Sequence, residues 1–564
     1  MSNDSLSDAP PRAANDDAPA HRPYEDFVPL QRSKLWDLQI AYYQAIGAKA
    51  WSDDIVPRWV TTNPFLADVY ARQIVAFVQD LIAAERFNRS QPLTVIELGT
   101  GSGHYAFLLH NALRQALQID GLADIAIRYV ATDIAGANLD FMAAHPQLAP
   151  LIDRGVLDLA IFDAENDTAL ALRHAGTTLD ADTLENPPVV IANYLFCSLR
   201  ADYYHFGDDG ALSACDVALH GPDPDVEPGH PDSLRDVQLR HRLRVIDNPD
   251  QPIVEGDETA DQVLRSYVAE AADDHAGADL RGRYVHLPTA TFRCLRALAA
   301  LGDGCYLLLA GDKADLAPRV FLQEAPLLAR HGSTSITLNL DAVGRYVHAR
   351  GGVAWLAPAP SRHLGVATLV EGVDAGRLAH LRRAFHNNVH SFGPEDYYRM
   401  RKFMMRIKDE VDFSTFYGFL RMGRWDEQTF QLFYNRIMAL MNDGGIGADN
   451  ERLLRESIPR VEANAFQIGA PAYFLPFCFG MLLQRMRFPH LAIHYFRLAD
   501  ARGADDAGVL FNMGSCYGML NRLTEARVCY QRALALNPDN AQAAQMIATI
   551  DRVLQERGGD GGEG

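Results

Sequence analysis

The sequence predicts an α/β domain with a parallel, doubly wound sheet, followed by an all-helical region. Between residues 91 and 373, short apolar runs rich in β-branched residues alternate with helical stretches, which is typical of such a sheet. Beyond residue 374 almost every segment has apolar residues three and four positions apart, the spacing of amphipathic helices. Near the end of the chain, two helical segments repeat with a period of 34 residues.

The composition indicates more than one folded domain and disfavours nucleic acid as a partner. The chain has 564 residues, beyond the roughly 250–300 at which a single hydrophobic core stops growing, so two or three domains are expected. Hydrophobic residues make up 48% and charged residues 22%, as in ordinary globular proteins. The formal net charge of -20 opposes a phosphate backbone, whose binding needs clustered Lys and Arg.

The sequence predicts a cytoplasmic protein without a membrane-spanning segment. Residues 1–25 are polar and acidic, which predicts a disordered tail, because a signal peptide needs a basic start and an apolar run. The longest apolar stretch, residues 474–483, is shorter than the roughly 20 residues that span a bilayer. Seven cysteines lie without any C-x-x-C pair or metal-ligand spacing, so we expect buried, reduced thiols and no metal site.

The α/β domain is expected to be preceded by helices and interrupted by an insertion. Helical patterns over residues 26–90 predict an N-terminal helical cover. Residues 215–283 are rich in Asp, Pro, Gly and His and lack periodicity, which predicts an insertion outside the core. This insertion is expected to be part of a substrate wall or a solvated loop. Residues 374–467 form a helical region before the repeats. The expected strands are LTVIEL, IAIRYVAT, VLDLAIF, PVVIANYLF, CYLLLAG and a final VATLVEG.

The C-terminal repeat has the tetratricopeptide (TPR) period. When Gly480 is aligned with Gly514, small and aromatic residues also recur 34 positions apart. Small residues let two antiparallel helices approach, and aromatic residues fill the space between them. We predict TPR-like repeats over residues 468–558 that bind a protein or peptide partner, or, as the alternative, only extend the packing of the preceding helices. The recurring pairs are Ala492 and Ala526, Phe496 and Tyr530, and Ala499 and Ala533.

One segment has the pattern of a nucleotide-type cofactor site. In TVIELGTGSGHYAFLLHNAL, a strand ends at an acid, enters a loop with glycine at every second position and continues into an amphipathic helix. Gly99, Gly101 and Gly103 permit tight turns and close approach of the backbone to a ligand, while the new helix offers unpaired N–H groups. Open α/β sheets bind ligands at this end of their strands.

The spacing of this glycine loop separates two classes of cofactor. A dinucleotide fingerprint needs glycine or alanine at its sixth position, where this chain has His104. The form E/D-x-G-x-G-x-G of methyltransferases fits residues 97–103. Glu97, at the end of the first strand, suits the ammonium group of a methionine moiety. We therefore predict a Rossmann-like class I methyltransferase sheet that binds S-adenosyl-L-methionine, with a nucleotide-dependent oxidoreductase as a minor alternative.

Two further acids end the next predicted strands. Asp133 follows the second strand and suits the ribose hydroxyls of the cofactor, and Asp163 follows the third and suits the adenine amino group. The alternative for either acid is a helix N-cap, since Asp favours that position after a strand. Asp133 lies 30 residues beyond Gly103, where about 20 are usual, so a longer helix and loop are expected between them.

The fourth strand ends at the place where a methyl acceptor is expected. Asn193 and Tyr194 are the polar candidates there for the catalytic step. The triplet Asn-Pro-Pro at residues 186–188 precedes this strand instead of following it, so it is not the signature of amino-methylating DNA enzymes.

Residues 35–373 resemble the MidA-like methyltransferase family, which includes mitochondrial arginine methyltransferases that assist complex I assembly. The resemblance rests on WVTTNPFLADVYARQI, ELGTGSG, VVIANYLFCSL and SITLNLDAVGRYVHARGG. It implies a methyltransferase fold and S-adenosylmethionine as cofactor. Asn193 matches the family's N-E-x-x-D-A-L-P stretch, but Tyr194 replaces its glutamate and Cys197 its aspartate. Carboxylates orient a guanidinium by bidentate hydrogen bonds, so these replacements argue against an arginine substrate.

Two hypotheses of function follow from these features. The first is a methyltransferase that acts on a protein or small-molecule acceptor, with the repeats holding a partner. The second is a scaffold or assembly protein with a weak or inactive methyltransferase fold that acts through its repeats. The first is favoured because Glu97, Asp133, Asp163 and the glycine loop are all present.

Overall fold

The structure is a computed structural model that describes residues 22–559 with several internal gaps. The predicted tail lies outside the described residues up to residue 21, as does most of the Pro-rich part of the predicted insertion. Within this range, the structure does not describe residues 54, 56–58, 209–210, 222–233, 235–236, 247–250, 273–280, 318, 326–328, 331–333, 359–362, 470 and 504–505.

The described chain forms strands mainly in its first two thirds and helices throughout. The strands are β1 (Arg22–Pro29), β2 (Leu93–Leu98), β3 (Ile127–Asp133), β4 (Leu157–Ile161), β5 (Leu170–Ala171), β6 (Thr178–Leu179), β7 (Val189–Asn193), β8 (Asp202–Phe206), β9 (Leu212–Gly221), β10 (Gln238–Val245), β11 (Arg283–Leu287), β12 (Tyr306–Asp312), β13 (Ala314–Asp315), β14 (Phe321–Leu322), β15 (Ala329–Arg330), β16 (Thr334–Ser335), β17 (Leu338–Asn339), β18 (Val353–Leu356) and β19 (Gly365–Glu371). The helices of the α/β part are α1 (Leu35–Ile46), α2 (Lys49–Ser52), α3 (Pro64–Ala83), α4 (His104–Ile119), α5 (Gly136–Ala144), α6 (Ala149–Asp153), α7 (Glu258–Ala272), α8 (Thr289–Leu301) and α9 (Leu340–Ala349). The later helices are α10 (Ala379–Phe385), α11 (Pro394–Ile407), α12 (Phe413–Met422), α13 (Glu427–Asn442), α14 (Ala448–Asn464), α15 (Phe474–Arg485), α16 (Pro489–Ala501), α17 (Ala507–Met519), α18 (Leu523–Leu536) and α19 (Ala541–Gly559).

The main sheet confirms the predicted α/β class. Its seven strands lie in the order β18-β19-β12-β7-β2-β3-β4. The five strands from β12 to β4 are parallel, whereas β19 runs antiparallel to both β12 and β18. The sheet is therefore mixed and not entirely parallel as predicted. The reason is the short connection between β18 and β19, because a parallel neighbour needs a crossover of a dozen or more residues.

Alternate residues of each central strand face two different hydrophobic cores. In β2, Val95 packs in the core that contains α3 and α4, while Ile96 packs in the core that contains α8 and α9. Strands buried on both faces are typical of parallel sheets covered by helices. Helix α3 is held at its start by Asn63, whose side chain accepts a hydrogen bond from the backbone N–H of Leu66. The predicted longer helix after the glycine loop is α4, which extends to Ile119.

A second sheet corrects two predictions. Strands β1, β9, β8, β11 and β14 form it, with β10 paired to β9. Residues 22–25, assigned to the tail, belong to β1, and residues 215–283, assigned to an insertion outside the core, supply most of β9, all of β10 and α7. The buried side chains of Leu219 and Tyr267 show that this segment contributes to the hydrophobic cores. Sequence reasoning missed β1 because its partner β9 lies far away along the chain.

The C-terminal part is all helical, as predicted. Helices α15 and α16 form one antiparallel pair and α17 and α18 the next, with α19 packed against α18. The repeated glycines allow this close packing, since a Cβ added to Gly480 would lie 2.6 Å from the ring of Phe496, and one added to Gly514 would lie 3.0 Å from the ring of Tyr530. Within the described residues, no helix is long and apolar enough to cross a membrane.

Candidate functional site

A cavity of about 140 Å³ opens at the carboxyl ends of β2, β3, β4 and β7. Parallel strands of an open α/β sheet bind ligands at this edge, so the cavity lies where the fold predicts a site. We call the residues at the strand ends and in the segments that follow them the floor. We call the residues of α1 and α2 the roof. The floor consists of Leu98, Gly99, Thr132, Asp133, Ile134, Asn138, Phe162, Asp163, Ala164, Glu165, Tyr194, Leu195, Ser198, Leu199 and Arg200. The roof consists of Trp36, Gln39, Ile40, Tyr43 and Trp51.

The glycine loop connects β2 to α4 through three residues with positive φ. The φ angles of Gly99, Gly101 and Gly103 are 65°, 58° and 74°, a region that other residues rarely adopt. The loop is fixed to the neighbouring strand by the backbone N–H of Thr100, which donates to the carbonyl of Thr132 at 2.8 Å. Gly99 lines the cavity, whereas Gly101 faces Trp51: a Cβ added to Gly101 would lie 2.7 Å from the indole ring.

Asp133 lies at the end of β3, lines the cavity and also holds the glycine loop. Its carboxylate accepts hydrogen bonds from the backbone N–H of Gly101 at 2.9 Å, the backbone N–H of Ala135 at 2.9 Å and the side-chain amide of Asn138 at 3.1 Å. Burial raises its pKa, and the hydrogen bonds from the backbone of Ala135 and Gly101 act in the opposite direction. The carboxylate therefore organises the loop whether or not a ligand is bound.

Glu97 lies behind the loop and is not among the residues that line the cavity. Its side chain is 4% exposed, and its Oε2 accepts a hydrogen bond from the hydroxyl of Tyr129 at 2.8 Å. Burial raises the pKa of Glu97 to about 7, although the Tyr129 hydrogen bond acts to lower it. The contact of Glu97 with a ligand ammonium group stays a prediction, and the structure places this carboxyl behind the lining residues of the cavity.

Asp163 lines the cavity at the end of β4 and shapes its own turn. Its carboxylate accepts hydrogen bonds from the backbone N–H of Glu165 at 2.9 Å and the side-chain amide of Asn166 at 2.7 Å. Glu165 in turn pairs with Arg200, whose Nη1 lies 2.8 Å from Glu165 Oε2. Arg200 also contacts Asp37 of α1 at 2.9 Å, so this ion pair joins the floor to the roof.

The two acceptor-site candidates at the end of β7 have different environments. Tyr194 lines the cavity, has a φ of 51° and donates its hydroxyl to the carbonyl of His363 at 2.7 Å. A left-handed conformation in a residue other than glycine costs free energy and is more frequent at functional sites. Asn193 does not line the cavity; its Oδ1 accepts from the hydroxyl of Tyr70 at 3.2 Å.

An acid that the sequence did not single out stands close to Cys197. Asp312, fully buried at the end of β12, accepts a hydrogen bond from the backbone N–H of Cys197 at 3.2 Å. Burial raises the pKa of Asp312 to about 6, and hydrogen bonds from Cys197 act to lower it. Strand β12 is the parallel neighbour of β7, so the carboxyl of Asp312 lies next to Cys197. Cys197 is the position where the resembled family has an acid.

The roof is the part of the site that sequence reasoning missed. Trp51 stacks on Tyr43 with ring centroids 6.1 Å apart and an angle of 18° between the rings. Trp36 is 3% exposed and donates its indole N–H to the carbonyl of Leu30 at 2.8 Å. The signal available in the sequence was the aromatic residues of YYQAIGAKAW, which precede the glycine loop by about fifty residues.

A linker from the C-terminal half contacts this site from outside. We call residues 465–469 the 465–469 linker. The ring of Phe466 stacks on the imidazoles of His104 and His145, with centroids 4.7 and 4.2 Å apart. Gln147 accepts from the backbone N–H of Gln467 at 2.9 Å. A Cβ added to Gly469 would overlap the carbonyl of Ser52, the residue after Trp51, so the linker supports α2.

The residues near the glycine loop fit a polar ligand. The hydroxyl of Thr100, the hydroxyl of Tyr105 and the Nδ2 of Asn193 are buried without a hydrogen-bond partner in the described part of the chain. None of these three residues lines the cavity, so they do not contact a ligand bound there directly. The lining itself supplies the carboxyl groups of Asp133 and Asp163, which fit the hydroxyl and amino groups of the nucleoside part of S-adenosylmethionine. In the same described part, no cluster of three or more His, Cys, Asp or Glu has the geometry of a metal site.

Comparisons with known proteins gave one family model and several solved structures at low identity. The tetratricopeptide repeat family model matches residues 507–540, which include α17 and α18. No significant match to a curated protein was found. A Burkholderia thailandensis protein of uncharacterized function shares 13% identity over 62% of this chain and 88% of its own, with a TM-score of 0.36. A second protein from this organism is described as a candidate methyl transferase and is bound to S-adenosyl-homocysteine. It shares 14% identity over 62% of this chain and 89% of its own, with a TM-score of 0.36. The first TPR domain of the human RPAP3 protein shares 16% over 24% of this chain and 98% of its own, with a TM-score of 0.20.

Proposed function

We propose that the α/β domain is an S-adenosylmethionine-dependent methyltransferase. The supporting observation is the cavity at the carboxyl ends of β2, β3, β4 and β7, which is bordered by Gly99, Asp133 and Asp163. A glycine loop that starts at the end of the first strand, together with acids at the ends of the next two, is the arrangement that binds this cofactor in the class I fold. The acceptor is a protein side chain or a small molecule, and its identity is left to experiment.

Different residues of the cavity contact different parts of the proposed cofactor. When bound, S-adenosylmethionine supplies a methyl group activated by a sulfonium. Gly99 lets the backbone approach the ligand, Asp133 accepts hydrogen bonds from ribose hydroxyls and Asp163 accepts one from the adenine amino group. The roof excludes water from the cavity, which strengthens these polar interactions. Tyr194, held in place by His363, forms the wall against which an acceptor packs.

We also propose that the repeats bind a protein or peptide partner. The support is the match of residues 507–540 to the tetratricopeptide model and the antiparallel helix pairs that follow one another from α15 to α18. Stacked repeats of this kind form extended concave surfaces, which are suited to peptides and partner helices.

A scaffold without catalysis is the second candidate. It is favoured by Trp51, which covers Gly101, and by the replacement of acids at Tyr194 and Cys197. Under this candidate, Asp133 is a structural residue that only holds the loop.

Calorimetric titration of the full chain with S-adenosylmethionine separates the two candidates. We expect micromolar binding that Gly101→Arg abolishes, because its side chain has no room beside Trp51. The matched control is Gly121→Arg, which also has a positive φ but has no atom within 4 Å of the added Cβ. It should bind cofactor as the unaltered protein does. Absence of heat and of thermal stabilisation with either S-adenosylmethionine or S-adenosyl-homocysteine leaves only the scaffold.

A further inference from the structure

The roof of the cavity presents aromatic faces, whereas the floor presents carboxylates. Asp133, Asp163 and Glu165 all border the cavity, and Arg200 is its one cationic lining residue in the described chain. Arg200 is already engaged with Glu165 and Asp37. Arg200 also interacts electrostatically with Asp163, so the described lining holds three carboxyl groups and one cation, and Asp133 has no cationic partner among the lining residues. This electrostatic environment favours a positively charged ligand over a neutral one.

Among the three aromatic residues of the roof, Trp51 is the one placed to contact such a ligand. Trp36 is almost fully buried and its indole N–H is held by Leu30, so it has a packing role. Tyr43 stacks on Trp51 and supports it. Trp51 lies against the glycine loop, because a Cβ added to Gly101 would lie closest to carbon atoms of the Trp51 ring.

We propose that Trp51 is a cofactor-specificity residue that binds the positively charged sulfonium of S-adenosylmethionine through its indole face. This inference rests on the proposed function. A cation over the face of Trp is attracted by the ring quadrupole, and the attraction is larger when the pair is removed from water. The demethylated product carries a neutral thioether in place of the sulfonium. Trp51 therefore favours the methylated cofactor over the product, which assists exchange after each transfer.

The test compares affinities for the charged cofactor and its neutral product in one variant. Kd values for S-adenosylmethionine and S-adenosyl-homocysteine are measured by calorimetry on the full chain and on Trp51→Leu, which keeps an apolar side chain but lacks the π face. We expect Trp51→Leu to weaken S-adenosylmethionine roughly 10-fold and S-adenosyl-homocysteine by about 2-fold or less, in the range of desolvated cation–π contacts. Trp51→Phe, which retains a ring, should lie between the two.

A second measurement does not depend on the stability of the leucine variant. Tryptophan emission of the unaltered chain should change more on addition of S-adenosylmethionine than of S-adenosyl-homocysteine, and Trp51→Phe should lose this difference. Trp355→Phe is the control, because Trp355 lies on β18 and does not line the cavity.

The outcomes separate the inference from the proposed function. If the unaltered chain binds both compounds and Trp51→Leu weakens both equally, Trp51 is only a packing wall and the inference is wrong. If the unaltered chain binds neither compound, the methyltransferase proposal fails and the inference fails with it. If the affinity ratio falls in Trp51→Leu and falls less in Trp51→Phe, the inference holds.

Discussion

The floor and the roof of the cavity are built on different principles. The carboxyl groups of Asp133 and Asp163 accept hydrogen bonds from the backbone of the loops that directly follow them, and Asp133 also accepts one from the glycine loop. The roof consists largely of aromatic side chains on two short helices, and one of these, α2, is supported by residues from the C-terminal half of the chain. The strand ends of the α/β domain thus supply the polar groups of the cavity, whereas the helices that cover it are held in part by the C-terminal half of the chain.

Phe466 anchors the 465–469 linker against α4 and the loop between α5 and α6, so its removal is expected to cost the most stability. Phe466→Ala should lower the free energy of unfolding by about 4 kcal/mol, because it removes a buried ring stacked on His104 and His145. The matched control is Phe474→Ala, at a phenylalanine that is 42% exposed and should cost less than about 1 kcal/mol. Urea unfolding measures both. An equal loss in the two variants contradicts the special role of the 465–469 linker.

The buried carboxyl of Glu97 lies behind the floor, so the free energy of unfolding is expected to depend on pH. Glu97 has an ordinary pKa near 4.5 when unfolded and about 7 when folded, so the native state holds a proton that the unfolded state releases. Stability from this group is present below pH 4.5 and is lost as pH rises to 7. The loss amounts to about 3 kcal/mol, at 1.36 kcal/mol for each pKa unit.

The variant Glu97→Gln isolates this effect, because the amide oxygen can still accept from Tyr129. Compared with the variant, the unaltered chain should lose about 2.5 kcal/mol of unfolding free energy between pH 5 and pH 8. Denaturant titrations at the two pH values measure the difference. A constant difference across this range means that Glu97 is ionised throughout in the native state.

The smallest effect distinguishes the two acids of the floor. Asp133→Ala should cost about 2 kcal/mol in unfolding free energy, because the backbone N–H of Gly101 and the amide of Asn138 lose their acceptor in a buried place. Asp163→Ala should cost about 1 kcal/mol or less, since its partners belong to its own partly exposed turn. Thermal denaturation of both variants checks the order. A larger loss for Asp163→Ala reverses our assignment of which acid holds the glycine loop.

The sequence predicted the features of the site that depend on local pattern. The strand, glycine loop and helix around Gly99 are contiguous, so their spacing alone indicated the fold and the class of cofactor. Asp133 and Asp163 were predicted for the same reason, because each lies at or just after the end of a strand, and both line the cavity. The burial of Glu97 against Tyr129 was not predictable, since it depends on how β2 and β3 pair.

Features that join distant parts of the chain were missed. Strand β1 pairs with β9 some 190 residues later, and Asp312 approaches Cys197 only because β12 lies beside β7. Roof residue Trp51 lies fifty residues before Gly101, with no periodic pattern to connect the two. Such contacts are set by packing of the whole fold, which propensity and spacing do not encode.

The 465–469 linker also sets how far along the chain the repeats begin from the contact with α2. Only residues 470–473 separate Gly469, which packs on Ser52, from the start of α15. The repeats are therefore attached by a short tether rather than by a long flexible chain. A partner bound by the repeats, as proposed, would be joined to the α/β domain through this tether, and short linkers give effective concentrations in the millimolar range. A weak affinity of the cavity for an acceptor group on that partner would then be sufficient.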